Sequence, residues 1–360
     1  MMEMKKILTI GVILLFIGVA VAPSINFTVV KASDDNDLVE VTTQACGIKG
    51  YRETMVLNEP SSQLSFRYHW PIWIEGNKEL TQRHGIIGGN GTQENPYIIS
   101  GWRFNGVIIR IIQTFLNING LGFGIVIMNT DKYIRIQDNL FFNWKSPPST
   151  SSYFTAIYLF NVTNVTIENN IIKKSDSAIR FEGDNILIRN NTIFNVTGSH
   201  TIRGGAYHGY SCIIENNTVI NCDGLSCTFC IIQNNIFENC IWGVGTFGPC
   251  IISHNNVTEN NVGIGCYFPP HNCTIIANKI NGNERGIYLI EDCSPKIHEN
   301  NIYHNGCGVS YPGYLRVNAT MNWWGAVNGP SGNGPGDGDS VGYYIDFEPW
   351  LTSPNPNAGR

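Results

Sequence analysis

Apolar and polar residues alternate in short runs along most of the chain between Lys49 and Trp350. In runs such as Val165-Thr-Ile-Glu168 and Ile186-Leu-Ile-Arg189, every second side chain falls on the same side of an extended backbone. The apolar positions are rich in Ile and Val, and Gly and Asn separate the runs, as is typical of strands joined by tight turns. No segment of this region has a helical apolar period, so the pattern predicts an all-β protein.

The predicted strands recur with a period of about 22 residues, which indicates a solenoid. Each unit has an alternating run, an Asn-Asn-like pair, and a second run of the form Gly-Ile-x-Leu, as in Gly286-Ile-Tyr-Leu289. We take the first residue of each pair as the marker of one coil. The markers are Asp138, Asn169, Asn190, Asn216, Asn234, Asn255, Asn278 and Asn300. Two longer spacings coincide with Pro-, Ser- or Gly-rich insertions, near residues 145–152 and 204–210.

Over residues 97–317 this repeat resembles the right-handed parallel β-helix repeat of the NosD-like group, whose members are secreted and often archaeal. The segment Gly88–Trp102 resembles the opening coil of that group. Asn322-Trp-Trp-Gly-Ala-Val-Asn-Gly-Pro-Ser331, followed by Asp346-Phe-Glu-Pro-Trp350, resembles its closing segment. The resemblance implies a single-stranded right-handed parallel β-helix (a β-solenoid) with a C-terminal cap. Pectin-degrading enzymes share this type of repeat, so the fold alone does not determine the function.

The N-terminus is predicted to be an export signal, because Lys5-Lys6 precede an apolar run that ends in Ala20-Val-Ala22. A membrane anchor is the alternative, but the run Ile7–Ala22 is shorter than the roughly 20 residues of a spanning helix. We predict a signal peptide at 1–22, an N-terminal segment of undetermined structure at 23–80, the β-helix at 81–320 and the cap at 321–360. The protein is then secreted or on the cell surface, and contacts a membrane only if the signal stays uncleaved.

Of the 11 cysteines, all but one lie between Cys212 and Cys307. Most of them fall into three repeat positions. One position, four or five residues before the marker, is occupied by Cys212, Cys230, Cys250 and Cys273. A second, six or seven residues after the marker, is occupied by Cys222, Cys240 and Cys307, and the Leu position of the second run is occupied by Cys227 and Cys266. Strand parity directs Cys212, Cys230 and Cys266 into the core, where we interpret them as packed thiols. Disulfides between stacked coils are the alternative. Cys227 and Cys230 are predicted on opposite faces, and no second ligand pair follows, so no metal site is assigned there.

A glycan-cleaving β-helix requires clustered carboxylates on an exposed face. The predicted outward residues before the markers are Gln137, Glu168, Arg189, Glu215, Gln233, His254, Ala277 and Glu299. Those of the second run are Tyr158, Arg180, Ser226, Gly245, Gly265, Tyr288 and Ser310. Neither set places two carboxylates on neighbouring coils, so no catalytic residue is assigned. An enzyme of another design would use loop acids, namely Asp184, Asp223, Glu291 or Asp292.

The remaining candidates are aromatic side chains that offer a binding surface on a rigid scaffold: Tyr158, Tyr207, Tyr210, Trp242 and Tyr288. Only 14% of the residues are charged and the net charge is −5, so no nucleic-acid partner is expected.

No cofactor is assigned. Calcium at Asp337-Gly-Asp339 would have too few ligands. Copper, which the resemblance raises, has no ligand set, since His254 and His298 are predicted two coils apart. We therefore predict a non-catalytic protein that binds polysaccharide or another cell-surface component. The alternative is a polysaccharide lyase or glycoside hydrolase, and a third hypothesis is a copper-handling accessory protein.

Overall fold

The computed structural model describes residues 67–107, 122–146, 154–198, 200–267 and 273–360. Over these residues the chain forms the predicted right-handed parallel β-helix, in which each strand pairs in parallel with the equivalent strand of the next coil. The predicted signal peptide, and the rest of the chain up to residue 66, lie outside the described residues.

Three strand faces run along the helix. Face 1 contains Ile72–Glu75, Phe123–Thr130, Ile202–Gly205, Leu225–Thr228, Trp242–Thr246, Val262–Cys266, Arg285–Leu289 and Cys307–Ser310. Face 2 contains Tyr97–Ser100, Ile134–Gln137, Cys212–Glu215, Cys230–Gln233, Ile251–Ser253, Thr274–Ile276 and Lys296–His298. Thr155–Glu168 and Ser177–Arg189 are long strands that run through both face 1 and face 2. Face 3 contains Arg67–Tyr68, Trp102–Asn105, Leu140–Phe142, Ile171–Lys173, Thr192–Phe194, Thr218–Ile220, Ile236–Glu238, Asn256–Thr258, Lys279–Asn281 and Asn301–Tyr303.

The two ends carry the remaining elements. Two 3₁₀ helices, Asn77–Glu79 and Gln82–His84, follow the first strand of face 1. At the C-terminal end, Val317–Asn318 pairs with Ile345–Asp346, and Pro330–Gly332 pairs with Gly338–Val341. The strand Gly338–Val341 also adds to face 1 beside the last coil, and Trp324 is fully buried at this end. These contacts cover apolar core that an open solenoid end would expose.

The core consists of columns of stacked apolar side chains. On face 1, Ile157, Ile179, Ile202, Leu225 and Val244 occupy the same position in successive coils, and each is at most 1% exposed. Each buried side chain of this size contributes about 1.5–3 kcal/mol relative to an exposed one. The alternation of the sequence is therefore explained by such inward columns, between which the intervening residues of each strand face outward.

The turn between faces 2 and 3 is built by two consecutive residues with different roles. The first has a left-handed backbone, with φ of 56° at Asn234, and Asn tolerates this conformation better than other non-glycine residues. The second is buried. Oδ1 of Asn235 accepts hydrogen bonds from the backbone N–H and Nδ2 of Asn217, at 2.9 and 3.0 Å. The same ladder joins Asn139, Asn170, Asn191, Asn217, Asn235, Asn255, Asn278, Asn300 and Asn322.

In the last three coils the predicted register is wrong by one residue. The left-handed residues there are His254, Ala277 and Glu299, and the Asn that follows each of them occupies the ladder position. The outward residues of face 2 are consequently Ser253, Ile276 and His298, and not His254, Ala277 and Glu299. The prediction failed because the ladder requires Asn only at the second position, whereas the left-handed position accepts other residues.

Candidate functional site

The outward side chains of face 1 form a continuous column along the helix. Its members are Trp73, Val126, Tyr158, Arg180, Arg203, Ser226, Gly245, Gly265, Tyr288 and Ser310. The column contains all seven outward residues predicted for the second run, and Trp73, Val126 and Arg203 in addition. Arg203 was missed because its coil reads Ile202-Arg-Gly-Gly205 and lacks the Gly-Ile-x-Leu motif.

A first group of aromatic rings lies at the N-terminal end of this column. The ring of Phe123 lies 6.5 Å from that of Trp73 and 5.2 Å from that of Tyr158. The rings of Tyr158 and Phe160 are nearly parallel, and the Arg180 guanidinium lies over the Tyr158 ring at 5.7 Å. Trp73 is 48% exposed and Phe160 37%, so this first aromatic cluster is open to solvent.

A second aromatic cluster lies toward the C-terminal end and is centred on Tyr267. The ring of Tyr267 contacts Trp242 edge-on at 5.1 Å, stacks on Phe247 at 5.5 Å, and lies 6.1 Å from Tyr288. The second cluster borders a surface cavity with a volume of about 210 Å³. The cavity is lined by His200, Leu225, Ser226, Trp242, Gly245, Phe247 and Tyr267.

Two glycines create the space for this arrangement. A Cβ on Gly265 would lie 2.4 Å from the hydroxyl of Tyr267, so only glycine allows that ring to lie on the strand. Gly245, one coil earlier, places no side chain on the floor of the cavity. The Tyr267 hydroxyl is buried without a hydrogen-bond partner among the described residues, and burial raises the pKa of Tyr267.

The second insertion of the sequence is a loop, residues 206–211, that Asp184 anchors. Oδ1 of Asp184 accepts hydrogen bonds from the backbone N–H groups of Tyr207 and His208 and from the hydroxyl of Ser211, at 2.8–3.0 Å. Its Oδ2 lies 2.6 Å from Nδ1 of His208. Burial raises the pKa of Asp184, but the hydrogen bonds of His208 and Ser211 outweigh that effect, so the pKa lies below its ordinary value. Asp184 therefore holds the loop in place.

The five predicted ligand residues lie in three places. Tyr158 belongs to the first aromatic cluster, and Trp242 and Tyr288 belong to the second. Tyr207 and Tyr210 lie in the loop, where their side chains are 47% and 42% exposed. The pKa of Tyr207 is raised, mainly by partial burial and to a smaller extent by the negative charge of Glu182.

The repeat pattern of the sequence did not indicate Phe247 and Tyr267 as members of a site. They occupy equivalent positions just beyond the face 1 strands of neighbouring coils. An alignment of the coils would have brought them together.

Face 2 carries three charged outward residues on successive coils, Glu168, Arg189 and Glu215, and they alternate in sign. The Glu168 carboxylate lies between Arg135, at 3.2 Å, and Arg189, at 2.7 Å, and is only 8% exposed. In the described coils, neither the face 1 column nor the face 2 column places two carboxylates on neighbouring coils. Opposite charges on adjacent strands stabilise the sheet, so we assign Glu168 a structural role.

The cysteines form buried columns inside the helix. Cys212, Cys230, Cys250 and Cys273 share one register, and the thiols of Cys227 and Cys250 lie 3.9 Å apart. Cys227 and Cys230 both point inward and interact, contrary to the prediction of opposite faces. The parity argument failed because a left-handed turn at Phe229 lies between them.

The other cysteine register is also corrected. Cys307 does not share the register of Cys240, since it pairs with Arg285 on face 1. The Cys222 and Cys240 positions are instead continued by Asn260, Asn283 and Asn305. Burial raises the pKa of Cys222 to about 12, so that thiol stays protonated at neutral pH.

Comparison with known proteins adds one match. A family model described as "Periplasmic copper-binding protein (NosD)" matches residues 146–322. The β-helix is NosD-like. The matched part of this NosD-like helix includes Arg180, Arg203, the Asp184-anchored loop and the second aromatic cluster. No curated protein and no solved structure matches the chain. Within the residues that the structure describes, no helix is long and apolar enough to cross a membrane.

The described residues do not form a site for the copper that the family description names. No group of three or more His, Cys, Asp and Glu side chains there has a geometry that would hold a metal ion. His254 occupies the left-handed turn, whereas His298 is an outward residue of face 2 that contacts the carbonyl of Thr320. Burial raises the pKa of Cys222, Cys240 and Cys250, which disfavours the thiolate that binds metals. These residues therefore do not fit a copper site.

The acidic pair of the C-terminal cap is likewise occupied by protein contacts. Asp339 accepts hydrogen bonds from the backbone N–H and Nδ2 of Asn305, and Asp337 accepts one from Asn328. Asp339 thus ends a second amide ladder that runs through Asn260, Asn283 and Asn305. The two carboxylates have separate structural partners, and we assign no calcium to them.

Proposed function

We propose that this NosD-like protein acts outside the cytoplasm and binds carbohydrate along face 1 without cleaving it. The observation that carries the proposal is the cavity of about 210 Å³ between Trp242, Phe247 and Tyr267, with Gly245 as its floor. Binding sites for small organic groups are concave, mainly apolar and lined by a few polar groups. His200 and Ser226 supply such groups here.

A sugar ring matches this chemistry better than a purely apolar ligand does. Its C–H faces pack against aromatic rings, and its hydroxyl groups need hydrogen-bond partners at the edges of those rings. The parallel sheet beneath the cavity is rigid, so little conformational entropy is lost when a ligand binds. The first aromatic cluster offers a second platform on the same face, which suits a polymer better than a single sugar.

We favour binding over cleavage because the carboxylates near face 1 are already engaged by other side chains. Asp184 is held by His208 and Ser211, and Glu182 lies 4.0 Å from Arg180. A glycosidase needs two carboxylates at a defined separation on either side of the scissile bond. The export signal predicted at residues 1–22, and the periplasmic location in the description of the matching family, support a place outside the cytoplasm.

The test is a screen of glycan polymers with the purified chain and with Trp242→Ala. Because the Trp242 ring forms a wall of the cavity, we expect the variant to bind any positive glycan at least about tenfold more weakly. The matched control is Tyr343→Ala, which removes a 74% exposed ring in the C-terminal cap. Equal affinity of wild type and Trp242→Ala, or the release of shortened glycan products, would contradict the proposal.

A further inference from the structure

The stretch of face 1 between the two aromatic clusters is cationic. Arg180 and Arg203 are paired in register on adjacent strands, next to Tyr158 on one side and Ser226 of the cavity on the other. Arg180 is 48% exposed in its side chain and has one carboxylate, Glu182, at 4.0 Å. Arg203 is exposed, and no carboxylate of the described residues forms an ion pair with it.

This pairing of like charges is unfavourable in the protein alone. Equivalent residues of adjacent strands are about 4.8 Å apart, and like charges directly opposite each other destabilise a sheet. Face 2 avoids the problem, because Arg189 lies in register between Glu168 and Glu215. The contrast between the two faces indicates that an anion from outside the protein compensates Arg180 and Arg203.

The charges around the pair leave it positive. Burial and the nearby Arg203 lower the pKa of His200, so His200 is neutral at neutral pH and adds no repulsion. The negative charge of Asp184 is engaged by the loop that it anchors. At the far end of the second cluster, the Arg285 guanidinium lies 5.1 Å from the centre of the Tyr288 ring. Cationic groups therefore alternate with aromatic groups along the face.

We propose that the carbohydrate bound on face 1 is a polyuronate, a polymer whose sugar rings carry carboxylates. The inference rests on the proposed function and specifies its ligand. A guanidinium group binds a carboxylate through two parallel hydrogen bonds, while the aromatic clusters on either side of the arginines pack against sugar rings. From Tyr158 to Tyr288 the column advances by six coil steps, or about 29 Å, which requires an extended chain.

The experiment measures binding of polygalacturonate and alginate, of fully methyl-esterified polygalacturonate, and of dextran sulfate. The proteins are the wild type, Arg203→Gln and the double variant Arg180→Gln/Arg203→Gln. Lys296→Gln is the matched control, because it removes one exposed positive charge from face 2. We expect a polyuronate to bind, its affinity to fall about tenfold in Arg203→Gln and further in the double variant, and Lys296→Gln to match the wild type. Affinity should also fall as salt is raised.

The outcomes separate this inference from the proposed function. If the uncharged methyl ester binds as tightly as the polyuronates and the arginine variants change nothing, the polyuronate assignment is wrong and carbohydrate binding stands. Preference for dextran sulfate over both polyuronates would also overturn the assignment to carboxylates. If no glycan of any charge binds, both the assignment and the proposed function fail.

Discussion

Each ladder asparagine connects three coils through its side-chain amide. Nδ2 of Asn235 donates to the carbonyls of Ile214 and Gln233 and to Oδ1 of Asn255, while its Oδ1 accepts from Asn217. Because Asn235 is fully buried, water cannot replace these bonds. The preceding residue, Asn234, has only to adopt a left-handed backbone. Two adjacent and chemically identical residues therefore differ in their importance.

We predict that Asn235→Ala lowers the free energy of unfolding by at least about 3 kcal/mol, because it leaves several buried donors and acceptors unsatisfied. Asn234→Ala should cost only about 1 kcal/mol, the strain of a left-handed backbone on alanine. Denaturant unfolding of both variants checks the difference. Equal destabilisation of the two would contradict the separate roles.

Strand parity in the sequence predicts side-chain direction only within one strand. It correctly placed Cys212 and Cys230 in the core, because each lies in an uninterrupted alternating run. It failed for the relation of Cys227 to Cys230, because the turn at Phe229 restarts the alternation. A left-handed residue other than Asn or Gly leaves no sequence signal, so this error could not have been avoided from the chain alone.

At the scale of elements, the loop 206–211 depends on one carboxylate from another coil. The sequence marks the loop by its glycines, but nothing in it indicates that Asp184, more than twenty residues earlier, receives the hydrogen bonds of Tyr207, His208 and Ser211. Asp184 can anchor the loop because the two lie on neighbouring coils, which stack directly on each other in the β-helix.

The pKa of Asp184 gives the loop a predictable pH dependence. Since the pKa is lower in the folded protein than in the unfolded chain, the anchor contributes stability above the unfolded pKa of about 4 and is lost as the pH falls through the lower, folded value. We expect the amide protons of Tyr207 and His208 to keep constant protection from hydrogen exchange between pH 7 and about pH 4, and to lose it in more acidic solution.

Two variants make this measurement specific. Asp184→Ala should remove the protection of both amides at every pH, because their acceptor is gone. Glu182→Ala is the control, since Glu182 lies on the same strand and its carboxylate pairs with Arg180. Unchanged protection in Asp184→Ala would show that other contacts hold the loop.

The face 1 strands illustrate how much of the site the sequence contains. The Gly-Ile-x-Leu motif predicts the column of outward residues and so places Tyr158, Ser226, Gly245 and Tyr288 on one surface. It does not predict the cavity, because Tyr267 lies beyond the motif and turns back over Gly265. The direction of a side chain such as Tyr267, which lies over a strand, is determined by local packing. Local packing differs from coil to coil, so the repeat pattern does not predict it.

At the scale of the whole molecule, the solenoid turns distant segments of the chain into one linear surface. The two aromatic clusters and the arginines between them come from residues 73 to 288 and share a single face. Because the stacked coils form one long face, a polymer can bind along it without a cleft between domains or a lid that closes over it. The cavity is open, and Gly245 on its floor belongs to the continuous sheet of face 1.

The most direct test of the central claim, that face 1 binds carbohydrate, is a crystal structure of the protein with a uronate oligosaccharide. We expect sugar rings to pack against Trp242 and Phe247 above Gly245, and a carboxylate of the sugar to bind Arg203. A sugar bound on face 2 or face 3, with the face 1 cavity empty at saturating ligand, would contradict it.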